Sequence, residues 1–148
     1  MTYRLLIALH LLGAAVWVGG YLVLSLSVLP RALRARDPAI IREFESGFER
    51  IGIPALLVQV VTGLRLAYRW APDVAGWFSP STPSARLVAV KLALLAATVA
   101  LAVHARLRIV PGLDAVTLPF LAYHIAAVTL LAVALLFVGV AIRTGAVL

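Results

Sequence analysis

The chain of 148 residues contains no cysteine, and its only methionine is the first residue. The missing cysteine excludes disulfides, thiolate metal sites and iron–sulfur clusters. Because internal thioether ligands are missing too, a bound metal has to use histidine nitrogen, oxygen, or nitrogens that a cofactor brings with it. The three histidines, His10, His104 and His124, are therefore the candidate metal ligands.

Acidic residues are few, and none lies in the middle of an apolar run. The sequence has six of them against thirteen Lys and Arg, which gives a net charge of +7. In a soluble protein such a charge would suggest nucleic acid, but here the arginines lie at the ends of apolar runs, where they meet lipid headgroups. Nucleic-acid partners are therefore excluded. The missing carboxylates also argue against a proton-coupled transporter, which usually needs one inside the membrane.

Long apolar runs dominate the rest of the chain. Hydrophobic residues make up 64% of it, and the mean hydropathy is +1.07. Four runs of membrane length lie at about 4–29, 48–70, 85–109 and 118–142. The predicted fold is all-α: one transmembrane domain over residues 1–148, built as an antiparallel four-helix bundle.

The stretch between the first two runs predicts a short interfacial helix. Asp37 and Pro38 form a helix start, with a capping residue followed by proline. Apolar and charged side chains then alternate at helical spacing. The apolar members are Ile40, Ile41, Phe44 and Phe48, and the charged ones Arg42, Glu43, Glu45 and Glu49. This pattern predicts an amphipathic helix that lies on the membrane surface.

The distribution of arginines predicts the orientation. Four spans place both ends of the chain on one side, here called the termini face; the other side is called the opposite face. Five arginines belong to the termini face and seven to the opposite face. The excess favours a cytoplasmic opposite face. We therefore expect a multi-pass inner-membrane protein with both termini in the periplasm.

Helix rise sorts the polar residues of the spans into two layers. His104 and His124 each lie roughly 9 Å from the membrane midplane toward the opposite face, at a rise of about 1.5 Å per residue. His10 and Lys91 lie a similar distance toward the termini face. The sequence thus pairs His104 with His124 in one layer, and His10 with Lys91 in the other.

The layer of His104 and His124 is interpreted as a haem site. Two imidazoles at equal depth on facing helices can ligate one iron from both sides, and Arg106 and Arg108 follow closely enough to pair with the propionates. The haem would be a non-covalent haem b. The alternative is that the two histidines form hydrogen bonds with each other or with backbone carbonyls.

The other layer and the first span suggest a second site. Lys91 has no carboxylate at its depth, so it either extends to the surface or binds an anionic group, such as a propionate or a quinone oxygen. Its predicted role is catalytic. His10 could be a metal ligand here, for copper among others. Trp17 lies on the same helical stripe as His10 and would pack on a flat cofactor; a packed helix is the alternative.

Several of these landmarks resemble known families. The pattern His-x-x-Gly-Ala-x-x-Trp-x-Gly-Gly at 10–20 resembles the first helix of copper resistance proteins of the CopD type, as do Thr62-Gly63 and the Lys91 start of the third span. Leu-Pro-Arg at 29–31, Glu49-Arg50 and the Lys91 to His104 helix are similar to protoporphyrinogen oxidases of the HemJ type, which are four-helix haem proteins.

Taken together, the residues and the resemblance predict a membrane haem b protein that transfers electrons between a membrane or periplasmic donor and an acceptor. A second polar site, for copper or quinone, would lie near the other face. One alternative is a HemJ-like oxidase, so the chain is a candidate oxidoreductase. The other alternative is a copper-binding or copper-transport protein of the CopD type. The bilayer is the expected environment, and a homo-oligomer is also allowed.

Overall fold

Helices make up nearly all of the structure, a computed structural model that describes residues 2–78 and 81–144. The α-helices are α1 (Tyr3–Val23), α2 (Leu29–Ala35), α3 (Ala39–Trp70), α4 (Pro83–His104) and α5 (Leu118–Thr144). Four continuous helical stretches are long and apolar enough to cross a membrane: Tyr3–Ala35, Ala39–Trp70, Pro83–Gly112 and Leu118–Thr144. The predicted all-α fold with four spans is confirmed.

Two π-helical turns interrupt the spans, and each ends two residues before a proline. The turn Leu24–Val28 joins α1 to α2 ahead of Pro30, and the turn Ala105–Ile109 follows α4 ahead of Pro111. Proline lacks the amide hydrogen of an α-helical bond, and its ring crowds the carbonyl four residues earlier. A widened turn accommodates this crowding. The second π turn begins directly after His104.

The link between α2 and α3 is a tight turn. Arg36 has φ of 51° and ψ of 34°, the left-handed conformation that commonly ends a helix. The Asp37 carboxylate then accepts a hydrogen bond from the Ala39 amide at 2.9 Å, as a capping residue does. The amphipathic segment that follows is helical, as predicted. It is not separate from the second span, however, because α3 runs unbroken from Ala39 to Trp70 and passes through Gly47, Gly52 and Pro54.

The helices are arranged so that α1 and α5 occupy the centre. Helix α3 packs along α1, α4 packs along α5, and α1 packs against α5, whereas α3 and α4 are not packed along each other. In the most apolar stretch of α5, 33% of the residues are buried inside the protein. The value is only 11% in the most apolar stretch of α3 and also in that of α4. The space between α3 and α4 is therefore open to a cavity whose floor is formed by α1 and α5.

Small residues bring α1 and α3 into close contact. A Cβ atom built on Gly13 would lie 2.8 Å from the backbone oxygen of Ala55, and one built on Gly20 would overlap the ring of Phe48. Membrane helices associate through such close packing, because lipid offers no hydrophobic gain for burying apolar side chains. The small residues of the first span thus allow the backbone of a neighbouring helix to come close.

The loop before α5 is held by Asp114. Its carboxylate accepts hydrogen bonds from the amides of Val116 and Thr117 at 2.9 Å and 2.8 Å, and from the Thr117 hydroxyl at 2.9 Å. The bond from the Thr117 amide is the main reason why the pKa of Asp114 is lowered, and the hydroxyl adds to it. This loop fixes the start of α5, which carries His124.

The contact between α1 and α3 predicts opposite effects at two glycines of α1. Gly13→Ala should destabilise the protein by about 1–3 kcal/mol, because the neighbour at Ala55 is backbone and cannot turn away. Gly19→Ala is the matched control: no atom lies within 4 Å of its built Cβ, so the better helix former should be neutral or slightly stabilising. Thermal unfolding of the detergent-purified variants measures both effects. Equal stability of the two would contradict the packing.

Candidate functional site

His104 and His124 contact each other directly. Nδ1 of His104 lies 3.0 Å from Nε2 of His124, and the rings are stacked with centroids 5.1 Å apart and planes 14° from parallel. Nδ1 of His124 lies 3.1 Å from the carbonyl oxygen of Phe120, which can only accept. His124 therefore donates from Nδ1 and accepts at Nε2, so His104 also donates from Nδ1. This leaves the Nε2 lone pair of His104 without a partner among the described residues.

The depth calculation paired these two residues correctly, but the predicted haem sandwich does not fit their geometry. Axial ligands of one iron lie on opposite sides of a macrocycle, whereas the imidazoles of His104 and His124 share a hydrogen bond. The alternative given with the haem interpretation, two histidines bonded to each other and to a backbone carbonyl, is the arrangement observed. Helical periodicity sets the depth of a side chain but not the distance across a helix interface.

A cavity of about 300 Å³ lies beside the histidine pair. Its volume is at the lower end for small-ligand sites. The walls come from all four spans, which meet here because α3 and α4 diverge. Residues from α1, α3, α5 and the π turn after α4 line it, among them Trp17, Tyr21, Phe48, Glu45, Glu49, Arg106 and His124. The cavity is therefore largely apolar, with four aromatic rings among aliphatic side chains, and its lining also contains charged groups and one imidazole.

An ion pair connects α3 to the π turn that follows α4. Arg106 donates to the Glu49 carboxylate, and both side chains are partly exposed. Glu45, one helical turn before Glu49, also faces the cavity. Sequence reasoning assigned both glutamates to a solvent face and missed them as cavity residues. The signal available in the sequence was the spacing of four residues between Glu45 and Glu49. This spacing places both on one side of the helix, next to Phe48.

The two predicted propionate-binding arginines differ in the structure. Arg106 lines the cavity and pairs with Glu49. Arg108 is exposed and has no hydrogen bond or ion pair to the residues described here. Only Arg106 is thus positioned to meet a ligand in the cavity.

Trp17 forms part of an aromatic cluster at the cavity wall. Its ring centroid is 4.9 Å from that of Tyr21 and 6.4 Å from that of Phe48, and Phe44 stacks on Phe48 at 5.7 Å. Trp17 is 9% exposed, so little of its ring is left for a ligand. The flat surface predicted for this residue is supplied by other aromatic side chains.

The second layer is built around His10. Nδ1 of His10 lies 3.0 Å from the Gln59 carbonyl oxygen and 3.1 Å from the Thr62 hydroxyl oxygen. The Thr62 hydroxyl itself donates to the Val58 carbonyl at 2.6 Å, so the His10 Nδ1–H donates and Nε2 keeps its lone pair. Gly63 gives the ring room, because a Cβ there would lie 3.0 Å from Cε1 of His10.

Lys91 lies in the same layer, as predicted. It is close enough to interact electrostatically with His10. Its ammonium nitrogen lies beside Gly139 of α5, 3.4 Å from where a Cβ would be. Lys91 has no hydrogen bond or ion pair within residues 2–78 and 81–144. The nearby Gln59 Oε1 is buried and also lacks a partner there.

Metal coordination by protein side chains alone is limited. Among the described residues, no group of three or more His, Asp or Glu side chains could hold a metal ion together. The candidate metal-binding groups are thus the His104–His124 pair and the single imidazole of His10.

Four apolar spans with two internal polar layers define a multi-pass membrane protein. The family model of copper resistance protein D matches residues 42–142, about two thirds of the chain, and the chain belongs to this family. The match contains Lys91, His104 and His124, whereas His10 and Trp17 precede it. No curated protein matches the chain, and no solved structure does.

The hydrogen-bond chain at His104 predicts the tautomers of both histidines. Nitrogen-15 NMR of the metal-free protein should show His104 and His124 protonated at Nδ1 and unprotonated at Nε2, because a carbonyl fixes the donor at one end. His124→Phe removes the acceptor of the His104 Nδ1–H, so the signals of His104 should change while those of His10 stay as in the parent. His10, whose partners are on α3, is the internal control. Protonation of His124 at Nε2 would contradict the chain.

Proposed function

We propose that this protein binds copper ions inside the membrane, with His104 and His124 as the ligands and copper as its cargo. The observation that supports this most is the oriented hydrogen-bond chain from His104 through His124 to the Phe120 carbonyl. Metal-bound histidines commonly donate their other ring nitrogen to such a partner, which fixes the ring. Imidazole suits copper, and the family match points to the same metal.

We place the ion between the two rings, at the position of the proton that Nδ1 of His104 and Nε2 of His124 share. The ring nitrogens are 3.0 Å apart, and two metal–imidazole bonds of about 2 Å each need a separation of about 4 Å. The rings therefore move apart by about 1 Å, toward the cavity beside His124. Copper would take the place of the proton on Nδ1 of His104, and that proton would move to the free Nε2 of the same ring, so both imidazoles stay neutral and no proton is released. The bonds made are Cu–Nδ1 and Cu–Nε2, and no electron is transferred.

Copper titration tests this assignment. His104→Gln and His124→Gln should each weaken Cu(I) affinity at least about tenfold, measured against a competing Cu(I) chelator. His10→Gln is the matched control, because it removes an imidazole from the other layer. Unchanged affinity in the double variant, or its largest loss in His10→Gln, would overturn the proposal.

Haem b with a redox role is the second candidate, and the aromatic cavity favours it. A single imidazole, His124, lies in the cavity wall, and Arg106 could meet a propionate. In this version the protein passes electrons between a membrane or periplasmic donor and an acceptor, or oxidises a porphyrinogen. The spectrum of the purified protein separates the candidates. A Soret band that is lost in His124→Gln supports haem, and a colourless protein that binds Cu(I) supports copper.

Lys91 is the residue we propose for anion binding in the second layer, next to His10 and Gln59. If it binds an anionic group of a cofactor or a quinone-like substrate, Lys91→Met should keep the fold, because it removes a polar group from the bilayer. Turnover with a quinone acceptor should nevertheless fall, and Lys91→Arg should recover part of it by keeping the charge. If turnover is unchanged while thermal stability rises, Lys91 only extends to the surface and is not catalytic.

We further propose that the chain is a single domain in the inner membrane with both termini in the periplasm. The excess of arginines on the opposite face supports this orientation. The histidine pair then lies toward the cytoplasm, and the layer of His10 and Lys91 lies toward the periplasm.

A further inference from the structure

We propose that the termini face carries a binding site for an anionic glycerophospholipid. A cavity of about 500 Å³ lies between the start of α1 and the end of α3. It lies outside both polar layers and shares no residue with the cavity at the histidine pair. Its lining consists of two arginines, two tyrosines and two leucines: Tyr3, Leu6, Leu64, Arg65, Tyr68 and Arg69.

The arginines of this site are held in place by neighbouring side chains, and no acidic side chain among the described residues pairs with them. Arg65 and Arg69 are four residues apart and share one face of α3. The Arg69 guanidinium lies over the ring of Tyr3, 5.0 Å from its centroid. The Tyr3 hydroxyl in turn accepts a hydrogen bond from Arg143 of α5 at 3.2 Å. Tyr3 thus organises two of the three arginines, one from each of its neighbouring helices.

No carboxylate competes for these arginines within residues 2–78 and 81–144. The single ion pair found there, between Arg106 and Glu49, lies at the other end of the bundle. Guanidinium groups bind phosphate through paired hydrogen bonds, and a basic pocket between membrane helices is suited to an acidic lipid headgroup. The charge of the site therefore requires an anion of phosphate type.

The apolar lining distinguishes a lipid from free phosphate. Leu6 and Leu64 lie next to the arginines, and Leu64 is 43% exposed on the outer surface of the span. Tyr68 is also exposed, at the level where aromatic side chains meet the headgroup region. A ligand with a phosphate on one side and acyl chains on the other satisfies both halves of the cavity. A free phosphate ion would leave the apolar half uncovered.

A lipid-dependent stability experiment tests the site. The detergent-purified protein is titrated with phosphatidylglycerol, or with phosphatidylcholine of the same chains, and its thermal unfolding is followed. Phosphatidylglycerol should stabilise the parent more, and Arg65→Gln/Arg69→Gln should weaken its apparent affinity about tenfold or more. Arg31→Gln/Arg34→Gln is the matched control: it also removes two exposed arginines from one helix, α2, on the opposite face. The control should bind like the parent.

Soluble probes separate the sources of the phosphate group. Inorganic phosphate and deacylated glycerophosphoglycerol should give little stabilisation, because they lack acyl chains. Stabilisation by either as strong as that by the lipid would overturn the proposal in favour of a free-anion site. Equal losses in the two double variants would indicate nonspecific charge attraction and would also overturn it. Circular dichroism of each variant before titration confirms that the fold is kept.

Discussion

The bundle depends on one constraint: a polar group at bilayer depth has no water and must find its partner inside the protein. Most polar side chains of the spans obey it by bonding between helices or back to their own helix. His10 donates to α3, Ser25 of the first π turn and Thr129 of α5 share a hydrogen bond of 2.5 Å, and His104 donates to His124. These bonds determine which faces of α1, α3, α4 and α5 meet.

Two polar groups in the spans that have no partner among the described residues are Gln59 Oε1 and the Lys91 ammonium. Gln59 Oε1 is buried, and the backbone carbonyl of the same residue accepts a hydrogen bond from His10, whereas Lys91 is half-buried. Leaving a buried polar group unsatisfied costs about 1–3 kcal/mol. The histidine pair is the opposite case, since it is satisfied but leaves one lone pair free.

The sequence predicted the number of spans, their order and the two polar layers, because each follows from hydropathy and helix rise. It could not predict that His104 and His124 touch, since interface distance depends on the side chains between two helices. It also placed Glu45 and Glu49 on a solvent face. Their helix continues into the span as part of α3, and the divergence of α3 from α4 exposes these residues to a cavity. Such divergence has no local signature in the chain.

The matching π turns have a mechanical consequence. Their central residues lie at similar distances along their helices: Leu26 is 23 residues after Tyr3, where α1 begins, and Leu107 is 24 residues after Pro83, where α4 begins (26 − 3 and 107 − 83). Two of the four helices therefore have their weakened, proline-adjacent turns at one level of the membrane. The helical end beyond the first turn is fixed, because Leu29 and Ala32 are packed in a buried cluster with Leu118 of α5, whereas no residue of the second turn is buried. Because Arg106 lies within the second turn and lines the cavity, a tilt at this turn would widen the cavity at the opposite face while the half nearer the termini stays rigid.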